Sequence, residues 1–186
     1  MKPISNLYTI ETSLYLLRAP QAGDIPFIYS ASQHKGFTDG MIWDPPENEE
    51  ELIKSLTNSL KGWQEGNAYS FTILEKHSNT FLGRISIRLI DDKDVWNVGF
   101  WTHPIHQNKG IMTEVLQAIL HFGFQELKAE RIEACYALWN IASEKVLKRN
   151  GMQFDRYLEK GFKKNGKWVD ENLLAITNEE WQKGLK

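Results

Sequence analysis

Apolar positions change their spacing along this chain, and each change of period marks a change of element. A short apolar run at residues 14–18 closes on Ala19-Pro20, where proline cannot continue a ladder, so a first strand ends there. A helical stretch follows. Asp44-Pro45-Pro46 offers a helix N-cap with prolines in the first turn, and Glu47, Glu49, Glu50 and Glu51 complement the positive end of the dipole. Leu52, Ile53, Leu56, Leu60 and Trp63 then recur at helical spacing until Gly66, which predicts a helix with one buried face.

From residue 68 to residue 101 the period falls to two. Tyr69, Phe71 and Ile73 alternate, then Phe81, Ile85, Ile87 and Leu89, then Val95, Val98, Phe100 and Trp101. Ser78-Asn79 and Asp91-Asp92 separate the runs, so three consecutive antiparallel strands are expected. A helix opens near Gly110 with Met112, Leu116, Ile119, Leu120, Phe124 and Leu127 on one stripe, and residues 131–138 return to strand spacing. Residues 140–150 predict a short helix with Gly151 as a left-handed cap. Two strands around Asn165-Gly166 form a hairpin, and residues 177–186 add a terminal helical turn or two.

A length of 186 residues suits one domain, and 41% apolar with 12% aromatic residues can fill its core. Charged residues, at 25%, give an ordinary solvated surface. A formal net charge of -2 supplies no broad cationic field, which argues against nucleic acid or an anionic membrane as partner and suits an amine-bearing substrate. The single cysteine, Cys135, falls in an alternating stretch where a buried strand thiol is the ordinary reading, and no internal disulfide can form. No apolar run is long enough for a bilayer, and residues 1–20 lack a basic segment followed by an apolar block, so a cytoplasmic location is expected.

Candidate chemistry gathers where strands give way to helices. Gln107, Asn108, Lys109, Gly110, Ile111 and Met112 lie between a strand and an amphipathic helix, where unpaired backbone N–H groups and the helix dipole attract an anion. Glycine there lets a diphosphate approach the main chain, although a lone glycine at a helix start is more often a plain turn. Asn140 and Ser143 open the next helix, where capping is the simpler role. If the two preceding strands are parallel neighbours, both helix openings share the carboxyl edge of the sheet, where α/β ligands bind.

The run Gly99-Phe100-Trp101, the loop from His106 to Ile111, Arg131-Ile132-Glu133-Ala134, Asn140, Ser143 and Gly151 together resemble the GNAT N-acetyltransferase superfamily, specifically its RimJ/RimL (ribosomal-protein N-terminal acetyltransferase) branch. The resemblance implies a mixed α/β fold over residues 1–186: a mostly antiparallel central sheet with a splayed parallel pair and flanking helices. It implies acetyl-CoA as cosubstrate and no metal. Phe100, Trp101 and Thr102 match the splayed strand that hydrogen-bonds pantetheine, residues 107–112 match the pyrophosphate loop, and Asn140 and Ser143 match residues facing pantetheine and thiol. Asn108 replaces a usual glycine, though asparagine tolerates unusual backbone angles, and Met112 replaces alanine or glycine. Leu147 stands where many members carry a tyrosine acid, which leaves Ser143 as the candidate acid; Met152 replaces a phenylalanine in packing.

The reaction so implied is direct attack of a neutral amine on the thioester, with strand N–H groups holding the oxyanion and Ser143 protonating the thiolate. About a tenth of an α-amine is neutral at pH 7, against a few parts in ten thousand for lysine, so an N-terminal α-amine is the expected acceptor. A small amine such as a polyamine or antibiotic, and a non-catalytic acyl-CoA-binding regulator, are the alternatives. His103, Asp91, Asp92, Glu133 or a water chain could supply the base, and residues 33–44 the acceptor pocket. His103 and His106, divided by Pro104, read as polar loop residues and not as metal ligands. Lys145, Lys148 and Arg149 either meet the CoA ribose phosphate or complement the helix dipole, and Trp43, Trp63, Trp96, Trp139, Trp168 and Trp181 read mostly as core or rim. Monomer and homodimer both stay open.

Overall fold

The period-two segments pair into one eight-stranded sheet: β1 Thr9–Glu11, β2 Tyr15–Arg18, β3 Ala68–Glu75, β4 Phe81–Asp91, β5 Val95–Thr102, β6 Arg131–Ala137, β7 Gln153–Lys164 and β8 Lys167–Thr177. Their spatial order is β1-β2-β3-β4-β5-β6-β8-β7. Every pairing is antiparallel except β5 with β6. The helices are α1 Ile25–Ser32, α2 Glu49–Glu65, α3 Ile111–Gln125, α4 Ile141–Arg149 and α5 Asn178–Gly184. This computed structural model describes residues 2–91 and 94–184.

Alternation along the strands sorts the apolar side chains onto two faces. Leu17, Leu82, Ile85, Ile87, Val98 and Phe100 join the larger cluster with α3, α4 and α5, whereas Leu16, Leu74, Phe81 and Trp101 join Ile25, Ile28, Leu52 and Leu56 of α1 and α2. The helices therefore cover opposite faces, although Trp63 at the end of α2 reaches into the larger cluster. The stripe expected in α3 is buried, with Leu116 and Ile119 both at 0% exposure, and each such side chain contributes about 1.5–3 kcal/mol on burial.

Two elements differ from the sequence expectation. The helix expected to cap at Asp44 starts later: Asn48 is the N-cap, its side chain accepting from the Glu51 N–H at 3.2 Å. Residues before a proline are pushed toward extended backbone, which keeps Asp44 and Pro45 out of the helix. Strand β1 was not expected, since three residues carry too little period to read. The terminal hairpin turns at Asn165 and Gly166, with φ of 48° and 77°, as the Asn-Gly pair dictates.

Between β2 and α1 the chain is fixed by a buried carboxylate. Asp24 accepts from both Arg18 terminal nitrogens (2.7 and 2.9 Å), the Thr72 hydroxyl (2.7 Å) and the Gln21 N–H (2.9 Å). Burial alone would raise its pKa, but these hydrogen bonds and the Arg18 charge outweigh it and hold the carboxyl below its usual value.

Candidate active site

The parallel ladder between β5 and β6 is short. It pairs Val95 with Arg131, Trp96 with Ile132 and Asn97 with Glu133, and there it stops. The Asn97 side-chain amide donates to the Glu133 carbonyl (3.3 Å), occupying an acceptor at the point of divergence. On its other edge β5 stays bonded to β4 as far as Thr102 opposite Gly83. From residue 98 to residue 102, therefore, the edge of β5 that faces β6 has no ladder partner among the described residues, and alternate N–H and C=O groups there are available to an extended ligand. Phe100 and Trp101 point to opposite faces, so a ligand in the cleft meets their main chain.

A 3-10 turn at Pro104–His106 and an exposed loop carry the chain from β5 to α3. Asn108 adopts φ 62° and Gly110 φ 76°, so asparagine does make the turn where the family more often has glycine. Gly110 is the N-cap of α3 and contributes no side chain; the Thr113 N–H donates to its carbonyl (3.0 Å), and the N–H groups of Ile111 and Met112 have no intrahelical acceptor. No atom lies within 4 Å of the place a Cβ would take on Gly110, which leaves an open approach for an anion. Gln107 donates to the Thr102 carbonyl (3.3 Å) and closes the loop onto the strand, while Lys109 is exposed. Ile111 and Met112 bury their side chains at 4% and 5% exposure, so they can offer a ligand only backbone.

Helix α4 opens beside this loop. The Asn140 side chain accepts from the Ser143 N–H (3.2 Å), so Asn140 is the cap and Ser143 is the residue capped. The Ser143 hydroxyl, half-buried, has no partner among the described residues. At the far end of α4 the Asn150 amide donates to the Thr113 and Val146 carbonyls (3.2 and 2.9 Å), tying α4 to the first turn of α3. Gly151 takes φ 80° as its cap position requires. Leu147 and Met152 are core residues at 1% and 2% exposure. Lys148 pairs with Glu144 at 2.6 Å, which leaves Lys145 and Arg149 exposed and unpaired among the described residues.

The face carrying α1 and α2 approaches the cleft from the other side. Phe37 sets its ring edge-on to Trp101 (5.3 Å between centroids) and to Trp43 (6.5 Å), and Trp101 meets Phe81 (5.9 Å). Phe37, Trp43 and Trp101, all part-buried, form an aromatic wall, with Phe81 behind them in the core. A Cβ on Gly40 would lie 2.9 Å from the Trp139 ring and 3.4 Å from the Asn140 amide, so the segment 33–44 packs onto the opening of α4. The same segment is held from the hairpin: Lys164, buried, donates to the Trp43 carbonyl (2.6 Å) and the Asp44 carboxylate (2.7 Å). Of the other tryptophans, Trp63, Trp96 and Trp181 are core, while Trp139 and Trp168 are exposed rim.

The base candidates fare differently. His103 is buried at the end of β5, its Nδ1 accepting from the Ile105 N–H; its ring stands 5.5 Å from His34 and 5.9 Å from His106. Burial, then the two neighbouring imidazoles, depress its pKa and favour the neutral ring. Glu133 is bound to Arg131 at 2.7 Å. Asp91 ends β4 at the opposite end of β5 from the cleft, and Asp92 lies outside the described residues. Cys135 corrects an expectation: the residue is exposed, although Glu133 and Ala137 in the same phase of β6 are buried. Partial desolvation by the surrounding chain, then the charges of Glu171 and Glu133, push the thiol up to about 11, which makes it a poor nucleophile. Among the described residues no cluster of three metal-ligating side chains occurs, and no helix is long and apolar enough to cross a membrane.

Residues 15–153 match the Acetyltransferase (GNAT) domain. The chain is 34% identical over 132 residues to the uncharacterized N-acetyltransferase YnaD of Bacillus subtilis, covering 71% of this chain and 76% of that protein. It is 28% identical over 130 residues to the ribosomal-protein-serine acetyltransferase of Escherichia coli, covering 69% and 72%. Its fold superposes on that of RimL, a ribosomal L7/L12 alpha-N-protein acetyltransferase in complex with coenzyme A, with a TM-score of 0.83 at 22% identity over 91% of this chain and 98% of that one.

Proposed function

Since the chain belongs to the GNAT family and is an acetyl-CoA-dependent N-acetyltransferase, we propose that its acceptor is the N-terminal α-amine of a protein. The observation that carries this reading is the aromatic wall of the part-buried Phe37, Trp43 and Trp101, backed by the core ring of Phe81, on the α1 and α2 side of the cleft. A polyamine would call for a wall of carboxylates, whereas an apolar surface suits the first side chains of a peptide. Two further points support it. A relative acetylates a ribosomal-protein serine by its name, and about a tenth of an α-amine is already neutral at pH 7.

In this reading pantetheine lies along the free edge of β5 at Phe100, Trp101 and Thr102 as an added strand. The pyrophosphate rests on the backbone of Gln107, Asn108, Lys109, Gly110, Ile111 and Met112, where the α3 dipole is positive. Asn140 holds the opening of α4 in place and Ser143 presents its unengaged hydroxyl to the sulfur. The amine nitrogen attacks the thioester carbon, main-chain N–H groups of β5 stabilise the oxyanion, and collapse breaks the C–S bond. Ser143 protonates the departing thiolate.

Mass spectrometry on peptide pairs tests the acceptor: a peptide with a free N-terminus against the same peptide blocked there but carrying lysine, with a polyamine in parallel. Faster modification of the free N-terminus is expected. Preference for lysine or the polyamine would overturn the reading, and binding of acetyl-CoA without transfer to any amine would make the chain a regulator.

A further inference from the structure

On the α1 and α2 face, the sheet beside the cleft presents small residues ringed by cations. Its cross-strand rows run Thr72, Arg84 and Trp101, then Ser70, Ser86 and Gly99, then Ala68, Arg88 and Asn97. Trp101 packs with the α1 and α2 cluster whereas Val98 and Phe100 pack with that of α3, so alternation puts all three rows on the α1 and α2 face. Helix α2 crosses above them. It leaves an open groove of about 460 Å³ between Lys54, Ser55 and Ser59 on the helix and Ser70, Ser86 and Arg88 on the strands.

The charge in this groove is unbalanced. Arg84 is part-buried, and its guanidinium donates to the Ser59 hydroxyl at 3.2 Å with no carboxylate paired to it among the described residues. Burial pulls its pKa down, and Asp24, the charge that opposes this, is already taken by Arg18 at 2.7 Å. Lys54 and Arg88 are exposed and form no ion pair among the described residues. Of the acids nearby, Glu51 lines the groove and accepts from the Glu47 N–H at 3.2 Å, and Glu133 is bound to Arg131 at 2.7 Å. Even against Glu51, Lys54, Arg84 and Arg88 leave an excess of positive charge over a floor of hydroxyls, which suits an anion.

The groove reaches the free edge of β5. The Ser86 hydroxyl, part of its floor, donates to the Gly99 carbonyl at 3.4 Å. A Cβ on Gly99 would meet that hydroxyl alone, at 3.8 Å, so nothing covers the main chain there on this face. With the pyrophosphate beyond Thr102, pantetheine runs back toward the point where β5 and β6 part, and the thioester end comes nearest Val98 and Gly99. An amine over Gly99 then has Trp101 of the aromatic wall toward the mouth and the groove one strand spacing, about 4.8 Å, to its other side. We propose that the groove reads an acidic side chain on the acceptor, a carboxylate at the second residue of the peptide, held by Arg84, Arg88 and Lys54. The proposal rests on the α-amine reading and narrows it to a class of N-terminus. Two residue lengths, roughly 7 Å, carry such a carboxylate from the amine into the groove. The same cations would repel a polyamine.

Three peptides that differ only at the second residue, aspartate, asparagine or lysine, test it. For the parent, kcat/KM should be about tenfold higher with aspartate than with asparagine and lower again with lysine, the difference lying in KM and shrinking at high salt. Arg88→Glu changes an exposed side chain and should melt with the parent, yet favour the lysine peptide over the aspartate one. Lys54→Glu, on the other wall, should do the same. Equal kcat/KM for the aspartate and asparagine peptides, or an aspartate preference that both charge reversals leave intact, would overturn the assignment. Equal rates with inorganic phosphate acting as an inhibitor would overturn it too, and give the groove to a free anion. The same three residues set beside the lysine of an N-terminally blocked peptide repeat the comparison. A failed α-amine reading shows as modification of that lysine, whereas a failed groove shows as loss of the aspartate preference whichever amine is modified.

Discussion

Ser143 shows how a single side chain can be separated from its surroundings. Its backbone N–H is spent on the Asn140 cap, while its hydroxyl is uncommitted. Ser143→Ala should therefore leave the melting point unchanged or raise it by the better helix propensity of alanine, about 0.5 kcal/mol. If Ser143 is the acid proposed above, its hydroxyl acts only as charge develops on sulfur, and turnover should fall about ten- to a hundredfold with little change in KM for acetyl-CoA. Thermal melting and steady-state kinetics on one preparation check both numbers; parent-like turnover would remove Ser143 from the chemistry. Much at this scale was legible in the sequence. Asn140 as a cap, Gly151 as a left-handed cap and Asn108 as a tolerated turn residue follow from local backbone preferences, and each occupies the expected conformation. Cys135 was harder, because its exposure depends on what the rest of the sheet leaves uncovered and not on its own strand's pattern. Trp96 leaves its buried indole N–H without a partner among the described residues, and nothing in the structure explains it.

At the scale of elements, the segment 33–44, which the proposal assigns to the acceptor, is placed by contacts that no local pattern encodes. Lys164 reaches it from 120 residues away along the chain to Asp44. Lys164→Met keeps the length of the stem but removes the donor to the Trp43 carbonyl. It is expected to raise KM for the acceptor about tenfold, equivalent to about 1.4 kcal/mol, and to leave the acetyl-CoA dissociation constant unchanged. Calorimetry and acceptor titration distinguish the two effects, and an equal loss in both would mean that the hairpin supports the whole site. The strands from residue 68 to residue 102 and both cleft helices were readable from period alone, since each buries one stripe or one face. The start of α2 was not. Asp44 and Asn48 are both good caps by type, and the choice between them falls to Pro45, Pro46 and the pull of Lys164 on Asp44.

Taken as a whole molecule, the fold works through an omission: two parallel strands pair for three residues and then part, leaving one strand edge free between two helix openings. Period and turn chemistry locate both strands, but a missing ladder is a long-range fact set by the twist of the full sheet, and only the family resemblance suggested it. Amide hydrogen exchange with and without CoA tests this arrangement most directly. If pantetheine completes the ladder on β5 and the pyrophosphate sits on α3, added CoA should slow exchange within residues 98–102 and 110–113 and leave β1 and β2 unchanged. Protection that appears elsewhere, with the edge of β5 exchanging as before, would contradict a cosubstrate site between β5 and β6.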